Sequence, residues 1–213
     1  MPERAPIGLR LVLLASLIAG VSFYFVKDAH LSVPIFVAWK GAGVALLAVW
    51  ALLHPREPNV LRVALVMALG ALGDVTLEWN QTAGGIAFLL GHLEAVSLYL
   101  RNRRTRTTGS QRLTAWALLL LTPVLAWRLS GSLAVGLYAI ALGAMAATAW
   151  RSKFSRYKVG LGAVMFVASD LLIFAQMGSL AHSELPGMLI WPLYYFGQLM
   201  ICTGVIGMRT KSV

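Results

Sequence analysis

The chain has 213 residues, of which 59% are hydrophobic and 12% charged, against roughly 25% charged in an ordinary soluble domain. A deficit of that size over the whole length excludes a water-soluble globular enzyme and makes lipid the solvent. The formal charge of +10 would suggest nucleic acid if it formed a patch on a soluble fold, but the basic residues fall between apolar runs and mark topology, so no nucleic-acid partner is expected.

A hydrocarbon core about 30 Å thick needs about 20 apolar residues per helix. Eight stretches qualify: Leu9–Val26, Val33–Leu53, Val60–Leu77, Gly84–Leu100, Leu113–Trp127, Leu133–Trp150, Val159–Gln176 and Gly187–Met208. The first follows Arg4 and Arg10 and ends in Phe-Tyr-Phe-Val-Lys-Asp with no small-residue cleavage site, so it reads as a retained helix and not a signal peptide. The fifth is expected to be short, hemmed in by Arg112 and Arg128, whose side chains would snorkel to the interfaces. Cys202 is the sole cysteine and lies in the eighth stretch, which rules out an internal disulfide. The expected fold is an all-α integral membrane protein, a bundle of about eight transmembrane helices forming one domain over residues 1–213.

Charge sets the orientation. With eight spans, one side holds Arg4, Arg10, Arg56, Arg62, the run from Arg101 to Arg112, the run from Arg151 to Lys158, Arg209 and Lys211. The other side holds only Lys27 and Arg128. Basic residues favour the cytoplasmic face, which puts both termini in the cytoplasm. The protein is then a multi-pass component of the cell membrane, or of the inner membrane if its source is bacterial. The run RNRRTRTTGSQR reads as a solvated topogenic loop.

Within the spans, Asp74 (MALGALGDVTLEW) and Asp170 (GAVMFVASDLLIF) stand out. Ionisable groups inside a bilayer are costly and mark functional sites by default, and two carboxyl groups suggest an acid–base pair. Helices three and seven run outward, placing Asp74 about one turn and Asp170 about two turns from their outer ends. Helices two, four and eight run inward, placing Lys40, His92, and Tyr194 and Tyr195 with Gln198 two to three turns below the same face. At 1.5 Å per residue these depths agree within about 10 Å, so one polar layer is expected in the outer half of the bundle. Simpler roles exist for each: Asp74 at the interface with Glu78 one turn on, Asp170 as a structural partner for Lys40, Lys40 in a buried pair with a carboxylate, His92 bridging two helices, the tyrosines in an aromatic belt. Glu94, two residues from His92, points to another face. Helices three and four carry Gly-Asp and then Gly91-His92-Leu93, and helices seven and eight carry Ser-Asp and then Gly197-Gln198-Leu199, a weak echo that parallel repeats would explain.

The order of WKGAG, LGDVTLEW, AFLLGHLEAVSLYL, GAVMFVASDLLIF and YYFGQLMICTG resembles the YhhN-like transmembrane lysoplasmalogenases over most of the chain. The resemblance puts the family's two proposed catalytic aspartates on Asp74 and Asp170. It implies a hydrolase that cleaves the vinyl-ether bond of a lysoplasmalogen, or a related lysophospholipid, to a fatty aldehyde and a glycerophospho-base. Water is the co-substrate, and neither a metal nor an organic cofactor is called for. Such a bond breaks when its β-carbon is protonated and water captures the oxocarbenium ion, which asks for one protonated carboxyl and one carboxylate. Asp170, the deeper, is read as the acid and Asp74 as the base or cation stabiliser. Lys40 would hold a carboxylate or meet the phosphate, and His92, Tyr194, Tyr195 and Gln198 would bind or orient substrate and water. This chain reads Lys40-Gly41-Ala42 where relatives often read Lys-Pro-Leu, and Leu93-Glu94-Ala95 where they often carry Leu-Leu-Tyr.

Three other readings were weighed against this one. A proton-coupled transporter would use the same Asp, Lys and His groups as a relay, but Pro123 and Pro192, the prolines well inside the spans, do not adjoin the aspartates. An intramembrane aspartyl protease would want Gly-x-Gly-Asp, and Ala71 stands at the first glycine. A purely structural membrane protein leaves the polar layer without a role. Nothing in the sequence sets an oligomeric state.

Overall fold

A computed structural model describes residues 6–208. Arg4, Arg209 and Lys211, three of the basic residues behind the expected orientation, lie outside the described residues. Eight helices are present: α1 (Ile7–Val26), α2 (Val33–Leu52), α3 (Pro58–Thr76), α4 (Gln81–Arg101), α5 (Gly109–Ser130), α6 (Leu133–Arg151), α7 (Leu161–Gln176) and α8 (Leu185–Ile206). A π-helical turn, Arg156–Gly160, leads directly into α7. All eight spans, the seventh counted from Arg156, are long and apolar enough to cross a membrane.

Local chemistry sets the ends. Pro34, Pro58 and Pro186 sit in the first turns of α2, α3 and α8, where a missing N–H costs nothing and a fixed φ suits the helix. The Asn80 side chain accepts from the Ala83 backbone N–H and opens α4. The fifth helix is not short. Thr108 and Gln111 form a capping box, each side chain bonding the other's backbone, so the helix starts four residues before Leu113 and contains both Arg112 and Arg128. It stops at Gly131, whose φ of 70° provides the left-handed closure that residues with a side chain avoid.

The chain packs as two compact units, residues 1–91 and 92–213, whose boundary falls within α4. In the first unit, the Ser16 hydroxyl donates to the Gly43 carbonyl at 2.7 Å and Trp39 Nε1 donates to the Ser22 hydroxyl at 3.0 Å, joining α1 to α2. The buried stripe of α3 runs Val60, Val63, Ala64, Met67, Gly70, Ala71 and Asp74, the three-and-four spacing of one helix face. On α1 the opposite holds: Ile7, Leu11, Leu14, Ile18, Val21 and Phe25 form an exposed apolar stripe. A face of that kind suits lipid and would be an association site in water.

In the second unit α7 and α8 cross at Gly162 and Gly197. A Cβ on either glycine would stand 2.7–2.8 Å from the other's carbonyl oxygen, so the backbones touch, as small residues allow in membrane helices. The connections after α4 and α6 are also knitted together. Arg104 N donates to Arg151 O, Lys153 N donates to Asn102 O, and the Arg104 guanidinium donates to the carbonyls of Ser152 (2.6 Å) and Phe154 (3.1 Å). One arginine of the basic run is thus a structural clasp that satisfies buried carbonyls.

Candidate active site

The ionisable groups gather in two clusters, one in each unit. In the first unit Asp74 is 3% exposed and lies in phase on the buried stripe of α3, at its C-terminal end. Gly73 beside it carries no Cβ, and the Phe88 ring fills that space: a Cβ there would come within 2.6–2.8 Å of the ring. One turn beyond Asp74, Glu78 accepts from Nζ of Lys40 on α2. The side chains are 18% and 29% exposed, so the pair is only partly screened by solvent. Gly41, next to Lys40, makes room for Val75: a Cβ on it would lie 2.7 Å from Val75 Cγ2. That close approach of α2 to α3 brings the lysine to the glutamate. Lys40 pairs with a carboxylate as expected, but the pair is partly exposed rather than buried and its partner is Glu78.

In the second unit Asp170 is 7% exposed and continues the α7 stripe of Ala163, Phe166, Val167 and Phe174. His92 of α4 and Tyr138 of α6 meet it. His92 Nε2 and the Tyr138 hydroxyl are 2.9 Å apart. His92 Nε2 stands 4.0 Å from Asp170 Oδ2, too far for a direct hydrogen bond. Aromatic rings wall this cluster: Phe166 lies edge-on to both His92 and Tyr194, with centroids 5.2 Å apart in each pair. Phe174 lies edge-on to Tyr138 at 6.0 Å. The neighbouring Ser169 hydroxyl donates to the Ile190 carbonyl at 3.0 Å and holds α8 alongside α7.

Of the residues singled out on α8, Tyr194 and Tyr195 are buried, with Tyr195 stacked on Trp191 at 6.3 Å and 10°. Gln198 is 2% exposed, and its buried Oε1 has no hydrogen-bond partner among the described residues. Glu94 is half-buried, whereas His92 is buried. Tyr138 was not singled out by the sequence reading, although it sits five residues into the sixth stretch, close to the depth of the other polar groups. Among the described residues no group of three or more His, Cys, Asp or Glu side chains is arranged to hold a metal.

Ionisable and hydrogen-bonded side chains buried in membrane-spanning helices define a polytopic membrane protein with intramembrane polar sites. Residues 35–205 match the YhhN family, and the chain belongs to it. It is similar to the lysoplasmalogenases of Mycobacterium bovis and Mycobacterium tuberculosis, each 30% identical over 182 residues that cover 78% of this chain and 69% of the relative. No solved structure matches it significantly.

Proposed function

We propose that this protein is a lysoplasmalogenase, a membrane hydrolase that opens the vinyl-ether bond of a lysoplasmalogen to release a fatty aldehyde and a glycerophospho-base. The observation that carries this reading is the burial of Asp74 and Asp170, 3% and 7% exposed, within spans of a chain whose named relatives are lysoplasmalogenases. A vinyl ether is inert to nucleophiles and yields to an acid. Burial of a carboxyl group disfavours its charged form, which suits a proton donor that must stay loaded at neutral pH.

Asp170 is the acid. Its proton adds to the β-carbon of the vinyl ether, the alkene π pair forms the new C–H bond, and the carboxylate keeps the O–H pair. The resulting oxocarbenium ion takes up water, with Asp74 as the base that accepts the water's proton. The hemiacetal then collapses to aldehyde and alcohol. Lys40, held by Glu78, supplies positive charge for the phosphate, and His92, Tyr194, Tyr195 and Gln198 bind or orient the substrate and water. Both termini face the cytoplasm, a placement supported by the distribution of basic residues.

Aldehyde release from vinyl-ether lysophosphatidylethanolamine by detergent-purified protein tests the reading. Wild type should release aldehyde, and Asp74→Asn and Asp170→Asn should each lose at least about a hundredfold, the scale of lost acid–base catalysis. Folded wild type that releases none, with ester-linked analogues equally untouched, would overturn it.

A further inference from the structure

We propose that the paired connections after α4 and α6 form a docking surface for the headgroups of anionic phospholipids in the surrounding bilayer. The surface lies wholly in the second unit and is independent of the reaction the protein catalyses.

The two connections run side by side. Arg103 pairs with Ser152 in a single antiparallel bridge, flanked by hydrogen bonds from Arg104 N to Arg151 O at 3.0 Å and from Lys153 N to Asn102 O at 2.6 Å. The Arg104 guanidinium fastens the same segments through the carbonyls of Ser152 and Phe154. Beneath the bridge Ser152 and Phe154 are fully buried, and the Phe154 ring lies edge-on to Tyr99 of α4 at 6.1 Å. The backbone here is held by core contacts and hydrogen bonds. A ligand meets charges whose anchoring chain is already ordered, which lowers the cost of binding.

That fastening gathers positive charge. Arg101, Arg103, Arg106, Arg151, Lys153 and Lys158 are all exposed and lie within a few residues of the end of α4, the end of α6 or the start of α7. The register also sets Arg104 opposite Arg151, and like charges directly opposite on paired segments are destabilising. A nearby carboxylate would offset them, yet the sequence holds no Asp or Glu between Glu94 and Asp170. Among the described residues, none of the six exposed side chains forms an ion pair.

Position says what supplies the opposite charge. The ends of membrane spans lie in the headgroup region, so phospholipid phosphates are fixed neighbours of this patch, whereas solution ions only screen it. Clusters of four to eight Lys and Arg just beyond a transmembrane helix suit anionic lipid, each strengthening attachment about fivefold. Arginine adds paired N–H donors that match phosphate oxygens. Tyr157, 79% exposed between Arg156 and Lys158, is an amphipathic ring of the kind found at headgroup level. A nucleic acid matches the sign as well, but it would have to displace the lipid already beside the spans.

Native mass spectrometry of the full-length protein, released from micelles holding equal phosphatidylglycerol and phosphatidylcholine, reads the preference. Wild type should retain phosphatidylglycerol over phosphatidylcholine by at least about tenfold. Arg103→Gln with Lys153→Gln removes one charge from each connection and should lower that preference at least about fivefold. Arg106→Gln with Lys158→Gln, away from the bridge itself, should do the same. Arg10→Gln with Arg56→Gln takes equal charge from exposed positions of the first unit and should leave it within about twofold. Unfolding midpoints in detergent alone should match across the four proteins, and added phosphatidylglycerol should raise that of wild type more than those of the two second-unit variants. Three results overturn the proposal: equal retention of the two lipids by wild type, an equal fall in all three variants, or uptake of a short RNA in preference to phosphatidylglycerol vesicles. Aldehyde release enters none of these readouts, so inactive wild type would sink the hydrolase reading and leave this one standing.

Discussion

The two clusters solve the same problem, an aspartate buried in a membrane span, by different means. One turn beyond Asp74 lies an ion pair, Glu78 with Lys40, and both side chains keep some exposure. Near Asp170 lie the hydrogen-bonded pair His92 and Tyr138, beside the rings of Phe166, Phe174 and Tyr194. A charged residue at a bilayer centre costs about 2.5–3.5 kcal/mol on insertion scales, so the solution that uses full charges belongs near a helix end. The solution that uses dipoles can lie further in.

The largest effects should come from the carboxylates. If Asp74→Asn and Asp170→Asn both lose a hundredfold or more in aldehyde release, both clusters serve the chemistry. Should Asp74→Asn keep most of its activity, only the aromatic-walled cluster is catalytic. Next comes the ion pair. Glu78→Gln leaves Lys40 partly buried without its partner and should cost about 2 kcal/mol of stability, seen as a lower unfolding midpoint, and Lys40→Met combined with Glu78→Leu should recover most of it. An Asp74 cluster that tolerates Glu78→Gln without penalty would not be held by charge. In the second unit, Gly197→Ala forces a Cβ against the Gly162 carbonyl and should cost about 1–3 kcal/mol as overpacking. Gly85→Ala in the first unit meets open space and should be neutral or slightly stabilising. Smallest is Thr108→Ala, which removes one half of the α5 capping box and should lower stability by about 1 kcal/mol.

Much of this was legible in the sequence. Apolar stretches bounded by charge, proline and glycine showed eight helices, and their ends mostly fall within a few residues of the expected ones. The fifth was misjudged because hydropathy stops at Arg112, while the helix start is fixed by the Thr108–Gln111 hydrogen bonds, a local pattern of polar residues that an apolar count ignores. The π-helical turn before α7 had no sequence signal at all. Its Val159 and Gly160 are buried, with Gly204 of α8 against Val159 and the Trp150 ring against Gly160, which are tertiary contacts. Lys40 was expected to find a carboxylate, but choosing Glu78 required the register of α2 on α3 that Gly41 and Val75 establish. Tyr138 was passed over because a tyrosine a turn or so inside a span has an ordinary explanation as an interfacial aromatic. Its bond to His92 of α4 is a tertiary contact between residues far apart in the sequence.

The Gly162–Gly197 crossing also bears on how the chain is made. α7 emerges from the ribosome before α8, so Asp170 enters the membrane before the helix that walls it exists. For that interval the face of α7 that later meets α8 is open to the bilayer. Docking of α8 along the glycine seam ends that exposure and brings Tyr194 up to Phe166 in the same movement. The second cluster is thus finished only when the eighth span is in place.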